Sequence, residues 1–582
     1  MGMRLGVVAL GFAALLGACA SDSPPRRTAV AERVPASQPA PVAIRVASAA
    51  GNFLAGSHAQ RTRDFAAAAS YFSEALSADR ANRRLQRNTF LAMVASGRLP
   101  EAVPLARAIV EQDRGAPVAN LSLVAEDVVR GDFVAAGKRL ETLPRRGMNT
   151  FTAPLLYAWT LAAQGNIDGA IETLQPLSEI AGFAALRELH VALINEYGSR
   201  PEAAEAAYRT AAANRLSLRI VRGYGSFLER AGRAADARAL YEKFLSDQPE
   251  SDALDVALER AQGRRAVEAT PLVSDPRQGM AEVFFNLAGT LAQSRSTDQS
   301  LIYGRFALYL RPDFPIAQLL VGGVLESLDR TLEALALYEK VDRGSALSWN
   351  ARLRHAAGLD SLGRSDEAIA MLRAMASERT DQDDVMVRLG DILRAKKRYA
   401  ESVDTYSEGI RRIGKLEERH WAILYARGIA FERLKRWQDA EKDLLRALEL
   451  RPDQPYVLNY LGYSWVDQGM HLKRAQEMIE RAVQLRPDDG YIVDSLGWVM
   501  YRVGKYAAAT EQLERAAALR PDDPTINDHL GDAYWRVGRI NEARFQWRRA
   551  LTLDPEKEAI PEIERKIREG LGSPRHADGR RT

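Results

Sequence analysis

The sequence predicts an all-α protein built as a superhelical solenoid of helix pairs, and three observations support this fold class. No stretch shows the alternation of β-branched and polar residues that is typical of strands. The prolines Pro487, Pro521 and Pro555, each in or next to a Leu-Arg-Pro-Asp-like motif, are 34 residues apart. Small residues recur with nearly the same period along most of the chain. A fixed period of this length indicates stacked helical repeats.

The first residues read as an export signal. Met1 to Arg4 carries a positive charge, and the run that follows, as far as Leu16, is almost wholly apolar or small. A transmembrane helix needs about 20 apolar residues, so this run is too short to span a bilayer. We therefore predict that residues 1–18 are a secretory signal peptide.

The chain has one cysteine, Cys19, and it directly follows this segment. Leu16-Gly17-Ala18-Cys19 resembles the lipobox of bacterial lipoproteins, in which the cysteine receives a diacylglyceryl group and becomes the new N-terminus. The resemblance implies a lipid anchor at Cys19. Ala20 stands where an aspartate would favour retention in the inner membrane of enteric bacteria, which implies the outer membrane, facing the periplasm. The alternative is an ordinary cleaved signal with a chance cysteine.

Residues 19–48 are predicted to be the lipidated cysteine and a disordered tether. Pro, Ser, Ala and Arg dominate this segment, and no period is visible. A flexible chain of this length has a root-mean-square reach of roughly 30 Å. The folded part can therefore stand clear of a membrane surface.

The register of the repeats follows from a small residue near the start of the second helix of each pair. The fourteen positions are Ala68, Ala102, Ala136, Ala170, Ala204, Ala237, Ser300, Ala334, Ala368, Ser402, Ala440, Ala475, Ala509 and Ala543. They predict about 14 helix-turn-helix repeats in two sub-arrays, six repeats over residues 49–251 and eight over residues 281–557.

The step from Ala237 to Ser300 is longer than one repeat. We interpret the excess, residues 252–280, as a bridging helix and loop between the sub-arrays; the alternative is one badly decayed repeat. Residues 558–582 are predicted to form a polar capping helix followed by a disordered basic tail.

Composition excludes several functional classes. Lys and Arg total 80 and Asp and Glu total 76, so the net charge of +4 gives no electrostatic reason to expect nucleic-acid binding. One cysteine cannot form an intrachain disulfide or a cysteine metal cage. The seven histidines fall in separate repeats at no metal-ligand spacing. We therefore expect no enzyme activity, no catalytic residues, no metal and no cofactor.

One repeat carries the resemblance to a known family most clearly. Residues 490–523 read GYIVDSLGWVMYRVGKYAAATEQLERAAALRPDD. This segment resembles the tetratricopeptide repeat (TPR) family. The small Gly497 and Ala509 allow the paired helices to approach closely, and Pro521 ends the second helix. The resemblance implies a protein that binds other proteins.

In TPR proteins, positions 2, 5, 9, 12 and 13 of a repeat face the concave groove. By that analogy the candidate peptide groove of this chain consists of Tyr456, Asn459, Tyr463, Asp467, Tyr491, Asp494, Trp498, Tyr501, Arg502, Asp528, Asp532, Trp535 and Arg536. Aromatic rings supply contact area there, and polar groups can hydrogen-bond a ligand backbone. The alternative is that these large residues pack between adjacent repeats. Acidic residues at position 5 of the last two repeats make an acidic C-terminal tail an unsuitable ligand.

A lipobox, a tether and a long TPR array together resemble the large TPR lipoproteins of Gram-negative outer membranes. The segments LNYLGYSWVDQG and DSLGWVMYRVGKYAAATEQLERA look most like adaptor lipoproteins that dock a periplasmic carboxyl-terminal processing protease. That resemblance implies a scaffold that holds the protease and its peptidoglycan-hydrolase substrates together. The competing interpretation is a structural assembly factor for outer-membrane protein insertion, secretion or polysaccharide export.

Overall fold

A computed structural model describes residues 48–180, 182–248, 252–380 and 382–572. Within these ranges the chain forms thirty α-helices and three short 3₁₀ helices, and it contains no strand. The predicted all-α solenoid is therefore confirmed. The predicted signal peptide, Cys19, nearly all of the predicted tether and the tail from residue 573 lie outside the described residues.

The α-helices follow one another as pairs. The first six pairs are α1 Ala49–Arg61, α2 Phe65–Ala78, α3 Arg83–Ala95, α4 Leu99–Gln112, α5 Pro117–Val129, α6 Phe133–Thr142, α7 Asn149–Ala163, α8 Ile167–Thr173, α9 Ala184–Tyr197, α10 Pro201–Asn214, α11 Leu218–Arg230 and α12 Ala234–Asp247. A single helix, α13 Asp255–Ala261, comes next.

Eight further pairs complete the solenoid. They are α14 Pro276–Gln293, α15 Thr297–Leu310, α16 Pro315–Ser327, α17 Thr331–Tyr338, α18 Ser348–Ser361, α19 Ser365–Glu378, α20 Asp384–Ala395, α21 Tyr399–Ile413, α22 Trp421–Arg433, α23 Trp437–Leu450, α24 Pro455–Asp467, α25 Leu472–Leu485, α26 Gly490–Arg502, α27 Tyr506–Leu519, α28 Pro524–Arg536 and α29 Ile540–Thr552. The final helix is α30 Ile560–Glu569, and the 3₁₀ helices are Gln175–Glu179, Asp252–Leu254 and Glu418–His420. Fourteen pairs agree with the predicted number of repeats.

The small residues that marked the register lie where the paired helices meet. All fourteen are in the second helix of a pair, and each is at most 1% exposed. At two positions serine replaces alanine, and its hydroxyl donates to a carbonyl of the preceding helix: Ser300 to Ala288 at 2.8 Å and Ser402 to Gly390 at 2.9 Å. The buried hydroxyl is thus satisfied, which explains why serine can take the place of alanine.

Each pair is joined by a tight turn that contains a residue with a left-handed φ, and the turn between α24 and α25 contains two, Gly469 and His471. Eight of the fourteen turns place glycine there, as at Gly504, and six place another residue, such as Lys435 with φ 64°. A residue with a Cβ pays about 1–2 kcal/mol for this conformation. The turn is therefore needed in every repeat, but glycine is not, so glycine spacing alone would have missed several repeats.

Packing divides the chain into two compact units, with the boundary between Arg364 and Ser365. The first unit contains α1–α18 and the second contains α19–α30. Over the predicted bridge, α13 is followed by a segment without helix at residues 262–275. The division at residues 252–280, which was inferred from the phase of the repeats, stays a prediction.

In the first unit, α14 packs across the first helices of earlier repeats. It has 18 residues, of which twelve are buried, and it contacts α7 and α9. Gly279 lies against the indole ring of Trp159 in α7, where a Cβ would come within 2.3 Å of the ring. Arg219 of α11 forms a two-bond ion pair with Glu282 of α14, and the side chains are 8% and 0% exposed. Steric fit and a buried charge pair therefore fix α14 on this face.

The partner helix of α14 extends the same contact toward the start of the chain. In α15, Arg305 donates from Nε to the carbonyl of Ala95 at 3.1 Å, and Tyr309 donates from its hydroxyl to Glu126 at 2.8 Å. Ala95 ends α3 and Glu126 lies on α5. The first helices from α3 to α11 are consequently covered by later repeats of the same unit.

Candidate functional site

The thirteen predicted groove residues lie on the first helices of three consecutive repeats in the second unit. Helix α24 carries Tyr456, Asn459, Tyr463 and Asp467, α26 carries Tyr491, Asp494, Trp498, Tyr501 and Arg502, and α28 carries Asp528, Asp532, Trp535 and Arg536.

The start of each of these helices is fixed by a side-chain cap. Gln454 accepts from the backbone N–H of Tyr456 at 3.2 Å, Asp489 from that of Tyr491 at 3.0 Å, and Asp523 from that of Ile526 at 2.9 Å. Such caps satisfy N–H groups that have no partner within the helix. Because the three helices start at equivalent positions, equivalent residues of successive repeats face the same side.

The residues of α24 differ in accessibility. Tyr456 is buried, with the guanidinium of Arg486 5.8 Å from its ring centroid, so it packs between repeats. Asn459 and Tyr463 are half-buried, and the Oδ1 of Asn459 is buried without a hydrogen-bond partner among the described residues. Asp467 is exposed. Asp467 is therefore the most accessible of these four residues, and Tyr456 is the least accessible.

Asp467 and two residues of α26 lie at the rim. Asp467 is 3.7 Å from the exposed Arg502 of α26. A surface ion pair of this kind contributes little to stability. Tyr491 is half-buried, with the guanidinium of Arg520 5.3 Å from its ring centroid. Burial, followed by the nearby Asp523 carboxylate, raises the pKa of Tyr491.

Trp498 is the centre of an aromatic stack. Its ring lies 4.9 Å from that of Tyr501 with 7° between the planes, and 4.0 Å from that of His529 with 14° between the planes. Trp498 is half-buried, and its Nε1 is buried without a hydrogen-bond partner among the described residues. Leaving such a group unpaired costs about 1–3 kcal/mol.

A buried ion pair supports the stack from behind. The Nδ1 of His529 on α28 lies 3.0 Å from Oδ1 of Asp494 on α26, and both side chains are 9% exposed. Burial lowers the pKa of His529, but Asp494, and then Asp528 and Asp532, outweigh it, so the pKa is raised above its ordinary value. His529 therefore stays protonated, and paired with Asp494, to a higher pH than an ordinary histidine.

The two aspartates of α28 contact the last helix. Lys566 of α30 lies 2.9 Å from Asp528 and 2.9 Å from Asp532. Asp532 also accepts from Nε1 of Trp547 at 2.9 Å. Burial raises the pKa of Asp532 to about 6, although Lys566 acts in the opposite direction. These carboxylates already have partners within the chain.

Trp535 and Arg536 are covered by the residues that follow α30. Trp535 donates from Nε1 to the carbonyl of Leu571 at 3.0 Å, and a Cβ on Gly570 would lie 2.0 Å from its ring. Arg536 donates to the carbonyl of Gly572 at 2.6 Å and, from Nε, to the hydroxyl of Tyr501 at 3.3 Å. The end of α28 is thus occupied by the chain itself.

Two subsets of the thirteen predicted groove residues differ in their surroundings. Five are half-buried on α24 and α26, namely Asn459, Tyr463, Tyr491, Trp498 and Tyr501, whereas the four residues of α28 contact α30 or the residues after it. Whether any of them binds a ligand stays a prediction. Sequence reasoning missed His529 and Lys566, because neither occupies a groove position of the repeat. No repeat position marked either residue, because Lys566 lies on α30, after the last repeat, and His529 packs against Trp498 of the preceding repeat.

The described residues contain no group of His, Cys, Asp or Glu side chains that could hold a metal ion. Among the helices that the structure describes, none is both long enough and apolar enough to cross a membrane.

Comparison with known proteins gives one consistent family. Models of the tetratricopeptide repeat match residues 53–117, 196–253, 353–415, 421–454 and 525–557, and a model of the TPR repeat matches residues 497–538. A relative from Pseudomonas aeruginosa, the TPR repeat-containing protein PA4667, is 27% identical over 193 residues, which are 32% of this chain and 31% of that protein. The chain therefore spans about a third of the length of that relative.

Solved structures show weaker similarity over longer stretches. The Cut9–Hcn1 complex is 15% identical with a TM-score of 0.37, covering 90% of this chain and 96% of the other. Yeast Tom70 is 14% identical with a TM-score of 0.31, covering 89% of this chain and 95% of its own. A tetratricopeptide repeat protein from Parabacteroides merdae is 14% identical with a TM-score of 0.36, covering 42% and 95%. The family assignment depends on the repeat models and not on these scores.

The pair of His529 and Asp494 predicts a pH-dependent contribution to stability. Because the pKa of His529 is raised in the folded protein, its stabilising effect is complete below the unfolded value of about 6.5 and is lost as the pH rises through the folded value. In a double-mutant cycle of His529→Gln and Asp494→Asn, the coupling energy from urea unfolding should be larger at pH 6 than at pH 9. A coupling energy that is the same at both pH values would contradict this assignment.

Proposed function

The chain belongs to the tetratricopeptide repeat family, and on that premise we propose that it is an adaptor that brings other proteins together at the periplasmic face of the outer membrane. TPR arrays serve as protein-binding scaffolds, and this solenoid fold is typically non-catalytic. The lipobox-like sequence at Cys19 supports the membrane location.

The observation that carries the proposal is the difference between the two compact units. In the first unit, α14 and α15 cover first helices that would otherwise form a concave binding surface. In the second unit, Asn459, Tyr463 and Trp498 remain half-buried on such helices. Tryptophan and tyrosine are common anchors at interfaces. These observations support our proposal that the partner binds on α24 and α26.

For the partner we propose a periplasmic carboxyl-terminal processing protease, held together with the cell-wall hydrolases that it cleaves. The two segments that resemble the adaptor lipoproteins of such proteases begin at Leu458 and Asp494. They lie on α24 and on α26–α27, and so they include Asn459, Tyr463 and Trp498. The segments that carry the resemblance thus include part of the surface that we propose for the partner.

Substitution of Trp498 tests the groove. Truncating an interface anchor typically costs about 2 kcal/mol, so Trp498→Ala should weaken binding of the protease to the full chain roughly thirtyfold. Its midpoint of thermal unfolding should change less than that of Trp535→Ala, which removes a ring covered by the chain itself and should cost about 1–3 kcal/mol of stability. Affinity is measured by surface plasmon resonance and unfolding by circular dichroism.

Phe545→Ala is the matched control, because Phe545 is 60% exposed but lies on α29, a second helix of its pair. This variant should bind the protease as tightly as the wild type. If Trp498→Ala binds like Phe545→Ala, the protease does not dock on α24 and α26.

Cys19 tests the membrane location. Cys19→Ser removes the thiol that lipidation requires, so the protein should move from the outer-membrane fraction to the soluble periplasmic fraction. Ser21→Ala leaves the thiol intact and should stay with the membrane. Fractionation followed by immunoblotting gives the answer, and a Cys19→Ser protein that still sediments with outer membranes would contradict the anchor.

A further inference from the structure

The first unit contains a cavity of about 290 Å³ whose walls include four arginines. Arg219 and Arg222 come from α11, Arg260 comes from α13, and Arg311 lies between α15 and α16. The exposed Val267 forms part of the wall, so the cavity is open to solvent on that side. Guanidinium groups that are gathered in a partly enclosed space repel one another unless anions neutralise them.

Two of these arginines have carboxylate partners in the same unit. Arg219 pairs with Glu282, as described above. Arg260 donates two hydrogen bonds of 2.9 Å to Glu229. The charges of these two side chains are therefore already neutralised within the chain.

The other two arginines are half-buried and have no carboxylate partner. Among the described residues, Arg222 forms neither a hydrogen bond nor an ion pair. Arg311 donates one long hydrogen bond of 3.4 Å to the carbonyl of Leu272, while its Nε is buried without a partner among the described residues. Its guanidinium lies 4.8 Å from the ring centroid of Phe314, a contact that leaves the positive charge in place.

The acidic groups nearby do not balance these two charges. Glu268 is the one carboxylate among the lining residues, and it is exposed and forms no ion pair with the described residues. Burial lowers the pKa of Arg311, and Asp313 and Asp275 oppose this effect only in part. Arg311 therefore keeps a guanidinium charge that no nearby carboxylate contacts.

The arginines of the cavity also act on one another. Burial lowers the pKa of Arg222, Tyr241 acts in the opposite direction, and the guanidinium groups of Arg260 and Arg311 lower it further. Arginine nevertheless stays protonated in proteins. The cavity is therefore a site of positive potential, which attracts an anion.

A helix N-terminus adds a third set of donors. Pro315 and Ile316, the first residues of α16, line the cavity. Phe314 precedes the helix and provides no side-chain cap, and the first backbone bond of the helix is donated by Gln318. The N–H groups of Ile316 and Ala317 consequently have no partner among the described residues. Free N–H groups and the positive end of the helix dipole favour an anion at this place.

The number and placement of the donors favour a phosphate group over a carboxylate. They come from α11, from the residue after α15 and from the start of α16, and a carboxylate has only two oxygens and one charge. A phosphate presents at least three acceptor oxygens and up to two charges, and arginine binds it through paired hydrogen bonds. Val256 and Leu272 supply apolar surface for a short organic substituent. The volume is at the lower limit for small-molecule pockets, which suits a phosphate ester of this size.

We propose that this cavity binds a phosphate group, which accepts hydrogen bonds from Arg222, Arg311 and the backbone N–H of Ile316. The group belongs either to a soluble phosphate ester or to the headgroup of a phospholipid, and the chemistry at the arginines is the same for both. This site goes beyond the adaptor function, since it takes a ligand that is not a protein.

Isothermal titration calorimetry of the full chain tests the site, with Cys19→Ser introduced so that no lipid anchor is attached. Inorganic phosphate and glycerol 3-phosphate should each bind at least about tenfold more tightly than acetate, because acetate cannot occupy all three sets of donors. Binding of acetate that is as tight as that of phosphate, or no measurable binding of phosphate, would overturn the proposal.

The source of the phosphate is distinguished by a short-chain phospholipid, dihexanoylphosphatidylglycerol, used below the concentration at which it forms micelles. If it binds at least about tenfold more tightly than glycerol 3-phosphate, the ligand is a phospholipid headgroup. If it binds equally or more weakly, the ligand is a soluble phosphate ester. Both results support a phosphate site, provided that binding needs the two arginines.

Substitutions assign the binding to this cavity. Arg222→Gln and Arg311→Gln should each weaken binding of glycerol 3-phosphate at least about tenfold, because each removes a charge-assisted donor. Arg222→Lys keeps the charge and should bind more tightly than Arg222→Gln. Arg238→Gln, which changes an exposed arginine on α12, should bind like the parent chain.

Thermal unfolding without ligand separates lost binding from lost structure. The two glutamine variants should melt at or above the temperature of the parent chain, because each removes a poorly paired charge. Added phosphate should raise the melting temperature of the parent chain and not that of the variants. Glutamine variants that bind like the parent chain, or that melt lower than it, would overturn the assignment. None of these results depends on the protease or on Trp498.

Discussion

The buried ion pair between Arg219 and Glu282 is the interaction on which the first unit depends. Both charges are removed from water, and such a pair is stable only when the two groups satisfy each other. Removing one partner of a buried pair costs about 3–5 kcal/mol. Because Arg219 lies on α11 and Glu282 on α14, the pair fixes a later repeat against the face of earlier ones, next to the contact between Gly279 and Trp159. A repeat array thereby becomes a closed unit rather than an open series of helix pairs.

This closure explains why the two units offer different surfaces. In the first unit, the first helices from α3 to α11 are covered from within by α14 and α15. In the second unit, α24 and α26 keep half-buried Asn459, Tyr463 and Trp498, while α30 covers only the end of α28. The surface on α24 and α26 is rich in aromatic rings, and His529, which pairs with Asp494, stacks on Trp498 at its centre.

The sequence predicted local features well and long-range contacts poorly. The period of Ala509 and its equivalents predicted fourteen pairs, since helix packing within a repeat demands a small residue at that point. The side of α26 on which Trp498 lies followed from the same register. The covering of Trp535 by Leu571 could not be predicted, because the capping helix has no repeat register. The packing of α14 on α7 and α11 was equally hidden, since it depends on small rotations that accumulate over several repeats. The spacing of residues along the repeats does not predict how tightly a surface binds a partner.

These contacts make α14 a permanent part of the first unit and not a segment that opens to admit a ligand. Hydrogen exchange of the full chain tests this most directly, since protection reports the free energy of local opening. The amides of α14 should exchange as slowly as those of α7, while the short helix α13 exchanges faster. If α14 exchanged as fast as α13 while α7 stayed protected, the inner face of the first unit would open readily, and the account of the two units would be wrong.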